Sequence, residues 1–324
     1  MNDSKLGSRL IFVGGSPRSG TTMIQMILNN HNQISGGPEF DRIPDIVKLR
    51  DLLKKTIDSG RIEAYCTHEQ IDKEVSCFVE RLLYPYANKH NTFFVSEKTP
   101  WNILYFSQLI TLFPKAKFIF CVRDPRSVVN SMLQVGKRYD LSNQEGPAFT
   151  KNIYAAVQTM NKCNQAGFDA FFQDTKKILL VQYEKILQNP EYETQKICTF
   201  LNVDFCKSLL ALEEGNDNTI KLADGIWGNK QTLMARPDIK RMHTWKEKLS
   251  LYQQFFIYEC LKNETYLQKM DYDIIPKAQL SLIKKIIYKI RINSYKFIYK
   301  LIKHITFYIK SNRKLKQLFS YYAE

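Results

Sequence analysis

The stretch VGGSPRSGTT (13–22) joins a short apolar run, LIFVGG (10–15), to a helix-forming one, MIQMILNN (23–30). The first reads as a strand covered on both faces, so SPRSGTT makes a tight turn at a helix N-terminus. Unpaired amides and the helix dipole favour an anion there, and Gly20 lets the backbone approach it closely. Against the phosphate-loop pattern G-x-x-x-x-G-K-[ST], Gly15 and Gly20 match, but Thr21 replaces the lysine and Thr22 the magnesium-binding hydroxyl. The missing lysine argues against a nucleoside triphosphatase, and Arg18 is the only cation inside the turn. A glycine-rich turn with no ligand is the bland alternative, disfavoured by the arginine and the paired threonines.

Outward from this turn the chain alternates strand and helix patterns. FFVS (93–96), KFIFCVR (117–123) and ILLVQY (178–183) are further continuous apolar strands, and 21–30, 41–58, 68–87, 101–112, 126–137, 147–172 and 190–201 read as helices. The alternation predicts a P-loop-type three-layer α/β fold with a mainly parallel central sheet. Residues 214–247 are Gly- and Asn-rich and weakly periodic, as in a long functional loop.

Charge divides the chain unevenly. The net charge is +15, and residues 277–324 hold 12 basic and 1 acidic residue, or +11, leaving +4 for residues 1–276. We therefore expect a domain over 1–276 followed by a basic tail over 277–324. Seven scattered cysteines with no C-x-x-C spacing predict reduced, mostly buried thiols, and no metal-ligand pattern joins them to the five histidines. Without an N-terminal h-region or a long apolar run, a cytoplasmic location is expected.

A second anion motif follows about a hundred residues after the first. In KFIFCVRDPRSVVNSM (117–132) a strand ends in Arg123, followed by Asp124, Arg126 and Ser131. An arginine can grip phosphate with two parallel hydrogen bonds, and a serine hydroxyl adds a third. Together, Gly15, Ser16, Pro17, Arg18, Ser19, Gly20, Thr21 and Thr22 and this second motif resemble the 5′-phosphosulfate loop, P-[RK]-S-G-T-T, and the 3′-phosphate motif of the sulfotransferase family. Within it the chain is most similar to the tyrosylprotein branch, through LNNHNQISGGPEFDRIP (28–44), EKTPWNILYFSQLITLFPKAKF (97–118), LVQYEKILQNP (180–190) and YLQKMDYDIIP (266–276).

The resemblance implies a donor, 3′-phosphoadenosine 5′-phosphosulfate, and a hydroxyl acceptor on a peptide, glycan or small molecule, with in-line transfer and no metal. It implies that Glu39 is the general base, and that Arg18 and Lys98 stabilise the transferring group. Ser16, Arg18, Ser19, Gly20, Thr21, Thr22, Arg123, Ser131 and Tyr183 would bind the donor, and Asn229 and Lys230 would close over it. His31 and Asp41 are rival bases; His31 lies just beyond a helix end and reads as structural. The sequence also departs from the branch. The family's second glutamate is Pro38 here, its two acceptor-gripping arginines align with Asp41 and Asp45, and Arg42 is shifted by one position. Another donor-binding arginine falls on Val135, with Lys137 and Arg138 nearby.

A P-loop kinase or nucleotide-binding protein is the alternative function, and a non-catalytic membrane-bound scaffold a third. In the tail, Ile283, Ile287, Ile290, Ser294, Phe297, Leu301, Ile305 and Tyr308 follow steps of three and four, giving an amphipathic helix about 40 Å long. Recurrent lysines argue against a membrane span. Contact with an anionic membrane surface, docking on the body or a partner, and nucleic-acid contact compete; the last is set aside. A homodimer is compatible with all of this.

Overall fold

The computed structural model describes residues 6–211, 226–227, 239–276 and 280–311. The chain divides into two compact units, one comprising Met1–Lys248 with Thr265–Tyr272 and the other Leu249–Glu264 with Asp273–Glu324.

The first unit is built on strands β1 (Leu10–Gly15), β2 (Ile34–Gly36), β3 (Phe94–Lys98), β4 (Lys117–Val122) and β5 (Ile178–Gln182). They form one five-stranded sheet in the order β2-β3-β1-β4-β5, parallel at every pairing. Strand β1 is buried along its whole length, which is why its sequence is continuously apolar rather than alternating. Along it, side chains alternate between faces. Phe12 stacks on Phe118 at 5.4 Å and meets Phe113 at 5.5 Å. Ile11 and Val13 belong instead to a cluster with Ile24, Ile27, Leu28, Ile197 and Leu201.

Among the described residues the α-helices of this unit are α1 (Thr21–Asn29), α2 (Ile43–Asp58), α3 (His68–Lys89), α4 (Phe106–Leu112), α5 (Pro125–Leu141), α6 (Ile153–Gln173), α7 (Tyr183–Gln188), α8 (Pro190–Leu201), and the short α9 (Trp245–Lys248) and α11 (Thr265–Lys269). The helices expected over 101–112 and 147–172 open as 3-10 turns, Pro100–Tyr105 and Ala148–Thr150, before α4 and α6. Helices α7, α9 and α11 are additional to the expectation, and the sheet differs from it in two places. The three-residue edge strand β2 is too short to leave a periodic signal, and is defined by pairing Ile34 with Phe94. Tyr183, expected to end a strand, begins α7. The segment after α11 returns to the sheet, where Gln182 Nε2 donates to Met270 O at 2.9 Å and the Tyr272 hydroxyl to Glu184 at 2.7 Å.

All seven cysteines are free thiols. Cys121, Cys163 and Cys198 are buried, Cys66, Cys77 and Cys260 half-buried and Cys206 exposed, so burial is less general than expected.

The second unit contains α10 (Leu251–Leu261) and α12 (Leu282–Ser311). They meet through aromatic side chains: Tyr288 lies 5.0 Å from Tyr252 and 5.8 Å from Phe255, and Tyr295 lies 5.9 Å from Phe256. Ile292 is buried between them in sequence.

Candidate functional site

Strand register brings the candidate residues to one edge. Val13 pairs with Lys98 and Gly15 with Cys121. Lys98 therefore closes β3, Arg123 follows β4, and the turn 16–20 follows β1, all at the carboxyl ends of adjacent parallel strands. The order places β1 between β3 and β4, the position where open α/β sheets form a ligand crevice.

The turn is shaped for an anion. Ser19 N donates to Ser16 O at 3.0 Å, and Gly20, the N-cap of α1, is left-handed with no side-chain cap. The first amides of the helix thus have no side chain to receive them. The Ser19 hydroxyl is buried with no hydrogen-bond partner among the described residues, whereas Ser16 Oγ donates to Pro17 O at 3.2 Å. Thr21 is buried and Thr22 half-buried. Arg18 adopts φ 74°, a conformation costing on the order of 1–3 kcal/mol for a residue with a side chain.

The Arg18 guanidinium reaches the second motif. Its Nε donates to Ser131 Oγ at 2.9 Å, and Arg123 Nη1 donates back to Arg18 O at 3.3 Å. Arg123 also lies over the Tyr183 ring, 4.1 Å from its centroid. Burial, together with repulsion from Arg123 and Arg138, lowers the Arg18 pKa to about 10. Among the described residues no carboxylate pairs with Arg18. Crowded guanidinium groups, an uncapped helix terminus and an orphan buried hydroxyl fit a ligand carrying more than one phosphate-like charge.

Gly20 is required twice over. Its φ is 104°, and a Cβ there would sit 2.5 Å from Tyr183 Cδ2. Gly20→Ala is expected to destabilise the fold by about 2 kcal/mol or more, from the left-handed backbone and the displaced ring. Thermal unfolding measures this, and an unchanged midpoint would contradict it.

The two proposed chemical groups meet directly. Lys98 Nζ donates to Glu39 Oε1 at 2.5 Å, with Lys98 buried and Glu39 40% exposed. Glu39 lies in a segment without regular structure, and an internal carboxylate holds it there. Buried Glu97 accepts from Phe40 N at 3.2 Å and Thr99 Oγ1 at 2.6 Å, and also from Asn102 Nδ2. Asp41 N donates to Thr99 Oγ1 at 3.1 Å. Both residues following Glu39 are thereby tied to the end of β3. Nothing in the sequence marks Glu97 beside Lys98, since a glutamate at a strand end carries no signal of burial.

Burial pushes the Glu97 carboxyl above its ordinary pKa, against the hydrogen bonds from Thr99, Asn102 and Phe40 and the charge of Lys98. A raised carboxyl binds its proton more tightly folded than unfolded. Its contribution to stability is then full below the ordinary carboxylate range and falls as pH rises through the folded value. Glu97→Gln is expected to flatten that part of the stability profile and to lower turnover about ten- to hundredfold by misplacing Glu39. Thermal unfolding at several pH values and steady-state kinetics check the two effects.

The rival residues have other employment. Gln33 N donates to His31 Nδ1 at 3.1 Å, so the ring proton sits on Nε2, which donates to Asp204 O at 2.8 Å. His31 is therefore a buried structural residue. Arg42, adjacent to the two aspartates, is tied to both: 3.0 Å to Asp45 and 3.7 Å to Asp41. Lys48 pairs with Asp45 at 2.9 Å. Arg126 makes a two-point pair with Asp124, at 3.0 and 2.7 Å, and lies 3.9 Å over the Trp245 ring. It fastens α9 to α5, and Ser127 Oγ, donating to Met242 O at 3.2 Å, fastens the 3-10 turn Ile239–Met242 just before α9. Val135 is buried, Lys137 exposed, and half-buried Arg138 donates from Nε to Ile226 O. Of the two basic neighbours of Val135, Arg138 is the one whose charge reaches Arg18. Asn229, Lys230 and most of the 214–247 loop lie outside the described residues.

Comparison with known proteins agrees with this geometry. The chain is 32% identical over 210 residues to the protein-tyrosine sulfotransferase of Drosophila melanogaster, covering 63% of this chain and 40% of that protein. It is 31% identical over 214 residues to protein-tyrosine sulfotransferase 1 of Danio rerio, covering 63% and 56%. The chain thus spans about half the length of the curated relatives it matches. The sulfotransferase domain of the Synechococcus PCC 7002 olefin synthase superposes with a TM-score of 0.52 at 21% identity, over 79% of this chain and 94% of that one, and so shares the fold. The sequence profile of the sulfotransferase family matches residues 10–207, a span that holds the phosphate turn, the Lys98–Glu39 pair, the Arg123 motif and all five strands, and the chain belongs to that family.

Proposed function

We propose that the chain transfers a sulfuryl group from 3′-phosphoadenosine 5′-phosphosulfate to a hydroxyl group, with protein tyrosine as the acceptor class. The observation that carries the proposal is the hydrogen bond between Arg18 and Ser131, which joins a 5′-type phosphate turn to a 3′-type phosphate motif at one sheet edge. A kinase has no use for the second motif. The names of the relatives, which are protein-tyrosine sulfotransferases, support tyrosine as the acceptor.

The donor, when bound, supplies an electrophilic sulfur already joined to a phosphate leaving group. The turn amides with Ser19, Thr21 and Thr22 would hold its 5′ end, and Arg123 and Ser131 its 3′-phosphate. Arg18 and Lys98 place positive charge where negative charge develops, in a preorganised setting. Glu39 accepts the proton of the acceptor hydroxyl as general base. Its bond to Lys98 keeps base and cation in register across β3.

The test uses the full chain with labelled donor and a panel of tyrosine peptides, phenols and glycans, in the presence of a chelator. Sulfated tyrosine is the expected product. Failure to bind the product nucleotide 3′-phosphoadenosine 5′-phosphate (PAP), combined with tight magnesium-dependent ATP binding, would overturn the proposal in favour of a P-loop kinase. Because Arg42 is paired to Asp41 and Asp45, peptides with neutral or basic flanks should react at least as well as acidic ones. A cytoplasmic setting, with residues 277–324 in contact with a membrane surface, is part of the same proposal. The charge and amphipathic spacing of that segment support it.

A further inference from the structure

Helix α12 has two apolar faces. At about 100° per residue, Tyr288, Ile292 and Tyr295 fall on one side, and these contact α10 or are buried. Ile283, Ile287, Ile290, Phe297, Leu301, Ile305 and Tyr308 fall on the other, and every one is at least half exposed or nearly so, from 49% at Leu301 to 71% at Ile283. The packed face is aromatic and short; the exposed face runs almost the length of the helix. Contiguous apolar exposure on this scale marks a contact surface.

Charge selects what covers it. Lys284 lies along one flank of the exposed stripe and Lys289 and Lys300 along the other, while the Arg291 guanidinium sits over the Tyr252 ring of α10, 4.9 Å from its centroid. Between residues 277 and 311 there is no Asp or Glu. A second copy of the helix on this stripe would bring cations against cations, and an acid-free partner helix offers nothing to pair them. Anionic headgroups pair with both flanks while acyl chains receive the stripe. Among the described residues no helix is long and apolar enough to cross a membrane, so the helix would lie in the plane of the surface.

We infer that the exposed face of α12 binds an anionic lipid surface, apolar stripe inward and basic flanks at the headgroups, while its opposite face stays packed on α10. This rests on the membrane placement proposed above and sharpens it to a lipid chemistry and a helix face.

Flotation of the full chain with vesicles tests it. The chain should float with vesicles of phosphatidylcholine and phosphatidylserine, and far less with phosphatidylcholine alone. High salt should weaken the binding through screening of the flanking charges. Ile290→Glu with Leu301→Glu should abolish flotation while PAP affinity, read separately, stays unchanged and reports an intact fold. Lys289→Ala with Lys300→Ala should weaken partitioning roughly 30-fold, at about fivefold per cation. Equal flotation with neutral and anionic vesicles would overturn the charge-selective inference and leave membrane contact standing. Flotation with neither would overturn both. A dimer in solution that Ile290→Glu with Leu301→Glu dissociates would assign the stripe to a second copy instead. PAP binding and sulfotransfer to a soluble acceptor are unaffected by any of these outcomes.

Discussion

Glu39→Gln is expected to lower kcat about a hundred- to ten-thousand-fold, the range that a positioned general base supplies, while PAP affinity is unchanged. The amide keeps the size of the carboxylate and removes its capacity to take a proton. The site makes the two effects separable. Glu39 touches Lys98 across the ends of β2 and β3, whereas Ser131, Arg18, Arg123 and Tyr183 hold each other on the β4 side. Single-turnover kinetics at saturating donor measures the chemical step, and calorimetric titration with PAP measures binding. Equal turnover in the variant would remove Glu39 from the base role. A parallel loss of PAP affinity would instead make it a structural partner of Lys98.

Arg123→Lys is the second large effect. It retains the charge and discards the planar fork, so it isolates geometry from electrostatics. In the fold, Arg123 has a backbone carbonyl on one side, Arg18 O at 3.3 Å, and an aromatic face on the other, Tyr183 at 4.1 Å. A lysine ammonium cannot meet both and also grip a phosphate at two points. Loss of one charge-assisted hydrogen bond costs about 1.5–3 kcal/mol, so PAP should bind roughly 10- to 150-fold more weakly. Binding of adenosine 5′-phosphate, which lacks the 3′ group, should change little. An equal loss for both nucleotides would show that Arg123 acts by supporting the turn at Arg18 rather than by recognising the 3′-phosphate.

Much of the fold was legible because its signals are local. LIFVGG, KFIFCVR and ILLVQY are apolar runs whose length and β-branched content state strand directly; Leu10–Gly15 emerged with the expected bounds, and the other two end one residue earlier than expected. The turn at 16–20 was legible for a similar reason, since Gly20 at a strand-to-helix junction has few other uses. The three-residue strand β2 was not, because its existence depends on β3 lying alongside. Arg126 shows the same limit within a motif. It stands in the second motif beside Arg123, outside the donor-binding set, and Asp124 two residues earlier pairs with it as a local neighbour can, whereas Trp245, distant in sequence, covers its guanidinium only in the fold. Glu97 is the converse case, a strand residue that becomes the anchor for Phe40 because the fold buries its carboxylate beside the donors of Phe40, Thr99 and Asn102.

By itself the sequence determined the fold class, the two phosphate motifs with their missing lysine, and the amphipathic basic tail. Each of these is set by neighbours a few residues apart, where backbone geometry fixes which side chains share a face or a turn. Only the tertiary structure decided that Lys98 meets Glu39, 59 positions away, and that Arg18 reaches Ser131, 113 positions away. It also decided that α12 packs the face of Tyr288 and Tyr295 on α10 and leaves the opposite apolar face exposed. Such pairings follow from strand register and helix packing, which the whole core fixes cooperatively and no local stretch of chain encodes.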